Sequence, residues 1–149
     1  MLTARDCTLL IVEDDPFDVK LIQRAMSKAR IANPCRILSD GEQAIHYLAG
    51  HPPYSDRNSN PIPILMLLDL KLPRKSGFDV IEWVRAQPVL RRLPIIVLTS
   101  SAESPDISRA YDLGANSYLV KPVGNDALVD MLQNLELFWL CTNTFPDIA

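Results

Sequence analysis

The chain has 149 residues, 48% of them apolar, with 18 acidic and 15 basic side chains and a net charge of −3. That length fits one domain with a full core, and a mildly acidic balance with scattered cations excludes an electrostatic nucleic-acid surface. No apolar run nears the roughly 20 residues of a membrane span, and no charged leader precedes a long apolar stretch, so neither membrane insertion nor a signal peptide is expected.

Short β-rich runs alternate with helical periods. Leu9 to Val12 reads as a strand, followed by Glu13-Asp14-Asp15. Asp15 suits a helix N-cap and Pro16 the first helical position, where a missing N–H costs nothing. Phe17, Leu21, Ile22, Ala25, Met26 and Ala29 follow at helical spacing and predict an inward stripe. Cys35 to Leu38 reads as a second strand. Asp40 to Ala49 reads as a helix with Ala44, Ile45 and Leu48 inward. His51 to Pro63, rich in Pro, Ser, Asn and Asp, reads as a loop longer than the usual two to six residues.

The run Ile64-Leu65-Met66-Leu67-Leu68 predicts a third strand and ends in Asp69. Gly77 to Ala86 reads as a helix with Phe78, Ile81 and Val84 on one face. Pro94 to Leu98 is a fourth strand. Ser104 is expected to cap a helix that begins at Pro105 and stops at Gly114. Ser117 to Val120 is a fifth strand, and Asn125 opens a last helix to about Leu140. A polar tail follows. Residues 1–7 read as a lead, 8–140 as the domain and 141–149 as the tail.

Five strands alternating with five helices predict an α/β fold, one doubly wound five-stranded parallel sheet with helices on both faces. In the common order 2-1-3-4-5, of flavodoxin-like topology, strands 1 and 3 are adjacent across the switch point. Glu13, Asp14 and Asp69 then meet at the carboxyl edge, where ligands bind in such sheets. Thr99 and Lys121 reach the same edge. A carboxylate leaving a buried strand is costly, and three together repel one another and call for a divalent cation.

The remaining reactive side chains give less. Cys7, Cys35 and Cys141 are odd in number and widely spaced, match no zinc or redox pattern, and read as reduced thiols of a cytoplasmic protein. His46 and His51 lack a partner motif and read as surface or loop histidines. Arg91-Arg92 is the only adjacent arginine pair and reads as a solvated face.

Taken in order, Ile11-Val12-Glu13-Asp14-Asp15, Leu67-Leu68-Asp69-Leu70-Lys71-Leu72-Pro73 with Gly77, Leu98-Thr99-Ser100 and Ser117-Tyr118-Leu119-Val120-Lys121-Pro122 resemble the receiver domain of bacterial two-component response regulators. The resemblance spans residues 8 to 140. It implies that Asp69 is the phosphoacceptor for a histidine kinase's phosphohistidine, in a signalling protein rather than an enzyme. It implies Mg²⁺ held by Asp14 directly, by Glu13 through water, by Asp69 and by the backbone carbonyl of Lys71, with Mn²⁺ or Ca²⁺ as substitutes. Thr99 and Lys121 would hold phosphoryl oxygens, and Tyr118 would be the aromatic switch residue. The resemblance also implies a cis Lys121–Pro122 bond, against the general preference of X–Pro bonds for trans. The output face would be Ser104–Leu113, Ser117–Val120 and the last helix.

The last helix is apolar nearly all round. Leu128, Met131, Leu132, Leu135 and Trp139 form an inward stripe, and Val129, Leu137, Phe138 and Leu140 add apolar surface beyond it, more than one core needs. Phe138-Trp139-Leu140 with Thr142 and Pro146, and the long Pro-rich loop, resemble the phytochrome-associated receivers of cyanobacteria and other bacteria. That subfamily implies a regulator without an output domain, indirect transcriptional output, a phytochrome kinase as partner, and a homodimer through Val129, Leu137, Phe138, Trp139 and Leu140.

Three other readings compete. A haloacid-dehalogenase-type phosphatase also uses an Asp nucleophile with Mg²⁺, but needs an acid two residues later, where Lys71 stands. A flavin carrier of the same topology lacks its phosphate loop here, and Glu13-Asp14-Asp15 would repel a flavin phosphate. A receiver-like adaptor that takes no phosphate would not need the full set of groups.

Overall fold

The computed structural model describes residues 6–148; the first five residues of the expected lead and the last residue of the tail lie outside it. Five strands, β1 (Leu9–Val12), β2 (Cys35–Leu38), β3 (Leu65–Leu68), β4 (Ile95–Thr99) and β5 (Ser117–Val120), form one parallel sheet of order β2-β1-β3-β4-β5. β1, β3 and β4 are buried along their whole length, as apolar runs covered on both faces must be. The alternation of side chains splits them between two cores. Leu10, Val12, Met66, Leu68, Ile95 and Val97 face α2 (Gly41–Ala49), α3 (Gly77–Ala86) and α4 (Ser104–Leu113). Leu9, Ile11, Leu65, Leu67, Ile96 and Leu98 face α1 (Pro16–Lys28) and α5 (Asn125–Leu135).

The caps explain where helices start. The Asp15 carboxylate accepts from the Phe17 amide at 2.9 Å with Pro16 beginning α1. Asp40 caps α2 by accepting from the Gln43 amide at 2.7 Å. Ser76 and Asp79 form a capping box on α3. α4 departs from expectation. Its cap position is Glu103, and Ser104 is already helical. Ser101 does the polar work instead: its hydroxyl accepts from the Glu103 amide at 3.3 Å and donates to Asp106 of the first turn at 2.6 Å.

Three side chains lie elsewhere than their periodicity predicted. Phe17, in the first turn of α1, is 68% exposed and lies outside the inward stripe. Tyr47 is wholly buried, its hydroxyl donating to the Pro61 carbonyl at 2.7 Å. This pins the long loop to α2, aided by Arg57, whose guanidinium donates to the Tyr47 and Leu48 carbonyls at 2.8 and 2.7 Å. Leu140 is 5% exposed and belongs to the α1–α5 core.

Leu140 turns inward because α5 ends at Leu135 and continues as a π-helical segment, Glu136–Thr142. The wider turn changes the angular step, so a residue expected on the outer face of a straight helix rotates inward. Leu137 and Phe138 remain outside, 64% and 53% exposed. Val129 and Trp139 are half-buried against the core. No described helix is long and apolar enough to cross a membrane, and Cys7, Cys35 and Cys141 form no disulfide among the described residues.

Candidate phosphoryl and metal site at the carboxyl edge

Strand register builds the site. Val12 of β1 lies beside Leu68 of β3 and Leu38 of β2. The ladder runs one step further, the Glu13 amide donating to the Leu38 carbonyl at 2.9 Å and the Asp69 amide to the Val12 carbonyl at 3.1 Å. Glu13 and Asp69 therefore leave the sheet at one level, from neighbouring strands. On the other side the Lys121 amide donates to the Thr99 carbonyl at 2.7 Å, so β5 delivers Lys121 beside the end of β4. Gly77 makes room for the turn after β3: a Cβ there would sit 2.3 Å from the Asp69 carbonyl oxygen.

The expected carboxylates come together. Oxygens of Glu13, Asp14 and Asp69 lie within 4.8 Å of one another. Glu13 is 2% exposed and Asp69 8%, while Asp14 faces solvent. A group of hard oxygen donors at this spacing suits an oxygen-seeking divalent cation. Asp69 Oδ1 accepts from the Lys71 amide at 3.3 Å, and Glu13 from the Asp15 amide at 3.3 Å.

Lys121 ties the cluster. Its ammonium donates to Glu13, to Asp69 Oδ2 at 3.0 Å and to Asp18 Oδ2 at 3.0 Å. Burial would push its pKa down, but hydrogen bonds to Glu13 and Asp18 and the charge of Asp69 raise it, so it stays charged. Asp69 is held below the usual carboxylate range: burial pushes it up, and the charge of Lys121 together with the polar groups around the carboxylate, Lys121's own hydrogen bond among them, outweighs that. Glu13 goes the other way. Burial, together with the charge of Asp69, pushes it up to about 7 despite the lysine. One lysine does not neutralise this edge, and the shortfall is what a dication would make good.

Thr99 is wholly buried, and its hydroxyl has no hydrogen-bond partner among the described residues. It lies near enough to Asp69 to favour the ionised carboxylate, without bonding geometry. A buried hydroxyl left unpartnered is costly, and a phosphoryl oxygen would satisfy it. Tyr118 is half-buried, its hydroxyl donating to the Ser101 carbonyl at 2.9 Å. Burial pushes its phenol up. The ring is bound to the β4–α4 loop rather than free in solvent.

The Lys121–Pro122 bond corrects one expectation. It is trans; among the described residues only Pro52–Pro53 is cis. Trans is the lower-energy form by about 0.5–1 kcal/mol, and the four-carbon stem of Lys121 reaches Glu13 and Asp69 without the other isomer. One participant escaped sequence reasoning. Asp18 occupies the first turn of α1, where an acid reads as a partner of the helix dipole. Ser101, in the β4–α4 loop, holds Asp106 through its hydroxyl and Tyr118 through its carbonyl.

A doubly wound parallel sheet whose switch point gathers three carboxylates, a buried threonine and a lysine is the architecture of a receiver domain. Residues 9–133 match the response regulator receiver domain family, and the chain belongs to it. Among its relatives is the response regulator Rcp1 of Synechocystis, 38% identical over 93% of this chain and 92% of that one. Similar solved structures include the Mn²⁺-bound form of Rcp1, with a TM-score of 0.84 at 37% identity over 94% and 99% of the two chains. They include also the phosphorylated cyanobacterial phytochrome response regulator RcpA, TM-score 0.87, 34% identical over 95% and 99%. A regulator in red light signalling of R. palustris superposes with a TM-score of 0.90, 35% identical over 94% and 98%.

Proposed function

We propose that Asp69 accepts a phosphoryl group from the phosphohistidine of a sensor kinase, with Glu13, Asp14, Asp69 and the Lys71 carbonyl holding Mg²⁺. An Asp69 oxygen attacks phosphorus, and the bond from phosphorus to the imidazole nitrogen breaks. The nitrogen keeps the electron pair and takes a proton from solvent. A bound dication supplies positive charge against the carboxylates and the phosphoryl oxygens. Lys121 moves from carboxylate to phosphoryl oxygen, and the Thr99 hydroxyl gains its missing partner. The observation that carries this reading is the meeting of Asp69, Lys121 and an orphaned Thr99 hydroxyl beside two further carboxylates.

The product carries roughly −1.5 to −2 additional charges. Drawing Thr99 toward them opens space behind β4, and Tyr118 would leave the Ser101 carbonyl to fill it. A Tyr118 ring that keeps one rotamer with and without phosphate would count against the switch. The chain acts in the cytoplasm, as domain 8–140 with its tail. Similarity to the cyanobacterial phytochrome response regulator RcpA and to a regulator in red light signalling supports a bacterial phytochrome kinase as donor. A second copy of the chain is the further partner, docking on the apolar surface of Leu137, Phe138 and Trp139. Leu140 is committed to its own core and Val129 partly so. Light scattering showing a monomer at tens of micromolar, phosphorylated or not, would remove the dimer.

The phosphatase reading is not favoured, since position 71 offers an amide to Asp69 and no carboxyl. The test of the main reading is intact mass after incubation with acetyl phosphate and Mg²⁺. A gain of one phosphoryl group, absent in Asp69→Asn, supports it. No gain, or the same gain in the variant, overturns it.

A further inference from the structure

Lys121 serves three carboxylates, and one of them has no part in the reaction as described. The Asp18 bond is as short as the Asp69 bond, 3.0 Å in both cases. Asp18 comes from α1 rather than from a strand end, and its side chain is 31% exposed against 10% for Asp69. It is not among the three carboxylates whose oxygens can share one cation. An ammonium has three N–H donors, and Glu13, Asp18 and Asp69 take all of them.

These three partners change differently when the site is occupied. A dication draws on Glu13 and Asp69, and phosphorylation alters the Asp69 carboxylate itself. Asp18 is touched by neither event and keeps its full claim on Lys121. Each hydrogen bond given to Asp18 is one not given to a phosphoryl oxygen. The charge balance points the same way. Glu13, Asp14, Asp69, one lysine and one dication sum to neutrality; Asp18 leaves the edge negative before an anionic phosphoryl group arrives. Its pull on Lys121 and its own repulsion both oppose the anion, and both favour the cation.

We propose that Asp18 is a positioning residue that holds Lys121 back from the phosphoryl group and thereby sets how readily Asp69 is phosphorylated. The inference rests on the reading of Asp69 as phosphoacceptor. It predicts opposite effects on two ligands, which a role in folding alone would not produce: loss of a merely structural contact would weaken both.

The experiment measures, by titration calorimetry, the affinity for Mg²⁺ alone and for fluoroberyllate, a phosphoryl mimic, at saturating Mg²⁺. In Asp18→Asn, fluoroberyllate affinity is expected to rise by about threefold, the scale of a partly exposed ion pair. Phosphorylation by acetyl phosphate should accelerate by a similar factor, while Mg²⁺ affinity falls. Asp18→Glu keeps the charge and should return toward wild type. In a Lys121→Met background the gain from Asp18→Asn should shrink toward none. Unchanged or weaker fluoroberyllate binding in Asp18→Asn overturns the proposal. So does an undiminished gain in the Lys121→Met background, which would assign the effect to direct repulsion. Wild type that binds no fluoroberyllate and gains no phosphoryl mass would instead remove the phosphoacceptor reading, and this inference with it.

Discussion

The carboxyl edge of the sheet and the stretch following α5 are specified by different means. At the edge Glu13, Asp69, Thr99 and Lys121 are placed by strands. Glu13 and Asp69 continue the ladder of β1 and β3, Thr99 ends β4 and Lys121 extends β5. Three of these four strands are wholly buried, so a register slip would carry a row of Leu, Ile and Val side chains to the wrong face. The stretch after α5 has no ladder. A π-helical turn sends Leu140 into the core and leaves Leu137 and Phe138 outside. Strand register fixes chemistry to fractions of an ångström, whereas a helix end settles by how many apolar groups it can cover. The first suits a reaction centre and the second a surface another chain can cover.

Substitutions should separate the two regions. The largest effect is expected at the sheet: Leu68→Ala, at a wholly buried position directly before Asp69, should lower the unfolding free energy by about 2–5 kcal/mol, read from denaturant midpoints. Lys121→Met should next cost about tenfold or more in fluoroberyllate affinity, since a hydrogen bond to a charged group is worth about 1.5–3 kcal/mol. Third, Mg²⁺ at ten times its dissociation constant should stabilise the fold by about 1.4 kcal/mol. Chelation should reverse this, and Asp14→Ala should abolish it, because relief of carboxylate repulsion is the source. Smallest in stability is Phe138→Ala, at a half-exposed side chain beyond α5. It should shift the unfolding free energy by less than about 0.5 kcal/mol while weakening self-association in sedimentation. A Phe138→Ala loss as large as that of Leu68→Ala would erase the contrast.

The strands and their order were legible because β1, β3 and β4 are unbroken apolar runs, and only a sheet covered on both faces accepts three of these side by side. The meeting of Glu13, Asp14 and Asp69 followed from that order alone. What escaped the sequence depends on turns rather than periods. The π-helical turn that buries Leu140 has no signature in a stripe drawn at 3.6 residues per turn. Ser101 takes over the start of α4 because its loop folds back on Asp106, which no local propensity records. Tyr47 is buried whole by a distant carbonyl at Pro61. Asp18 was legible as a helix-start acid, and only the length of a lysine side chain from the far side of the sheet brings it to the site.

The central claim is that one aspartyl oxygen, at residue 69, takes the phosphoryl group. Borohydride reduces an aspartyl phosphate to homoserine, so a protein treated with acetyl phosphate and Mg²⁺, reduced, and digested for peptide mass spectrometry reports the residue directly. The account predicts homoserine at position 69 and at no other acid. Homoserine at Asp14, Asp15 or Asp18 with residue 69 intact would contradict it.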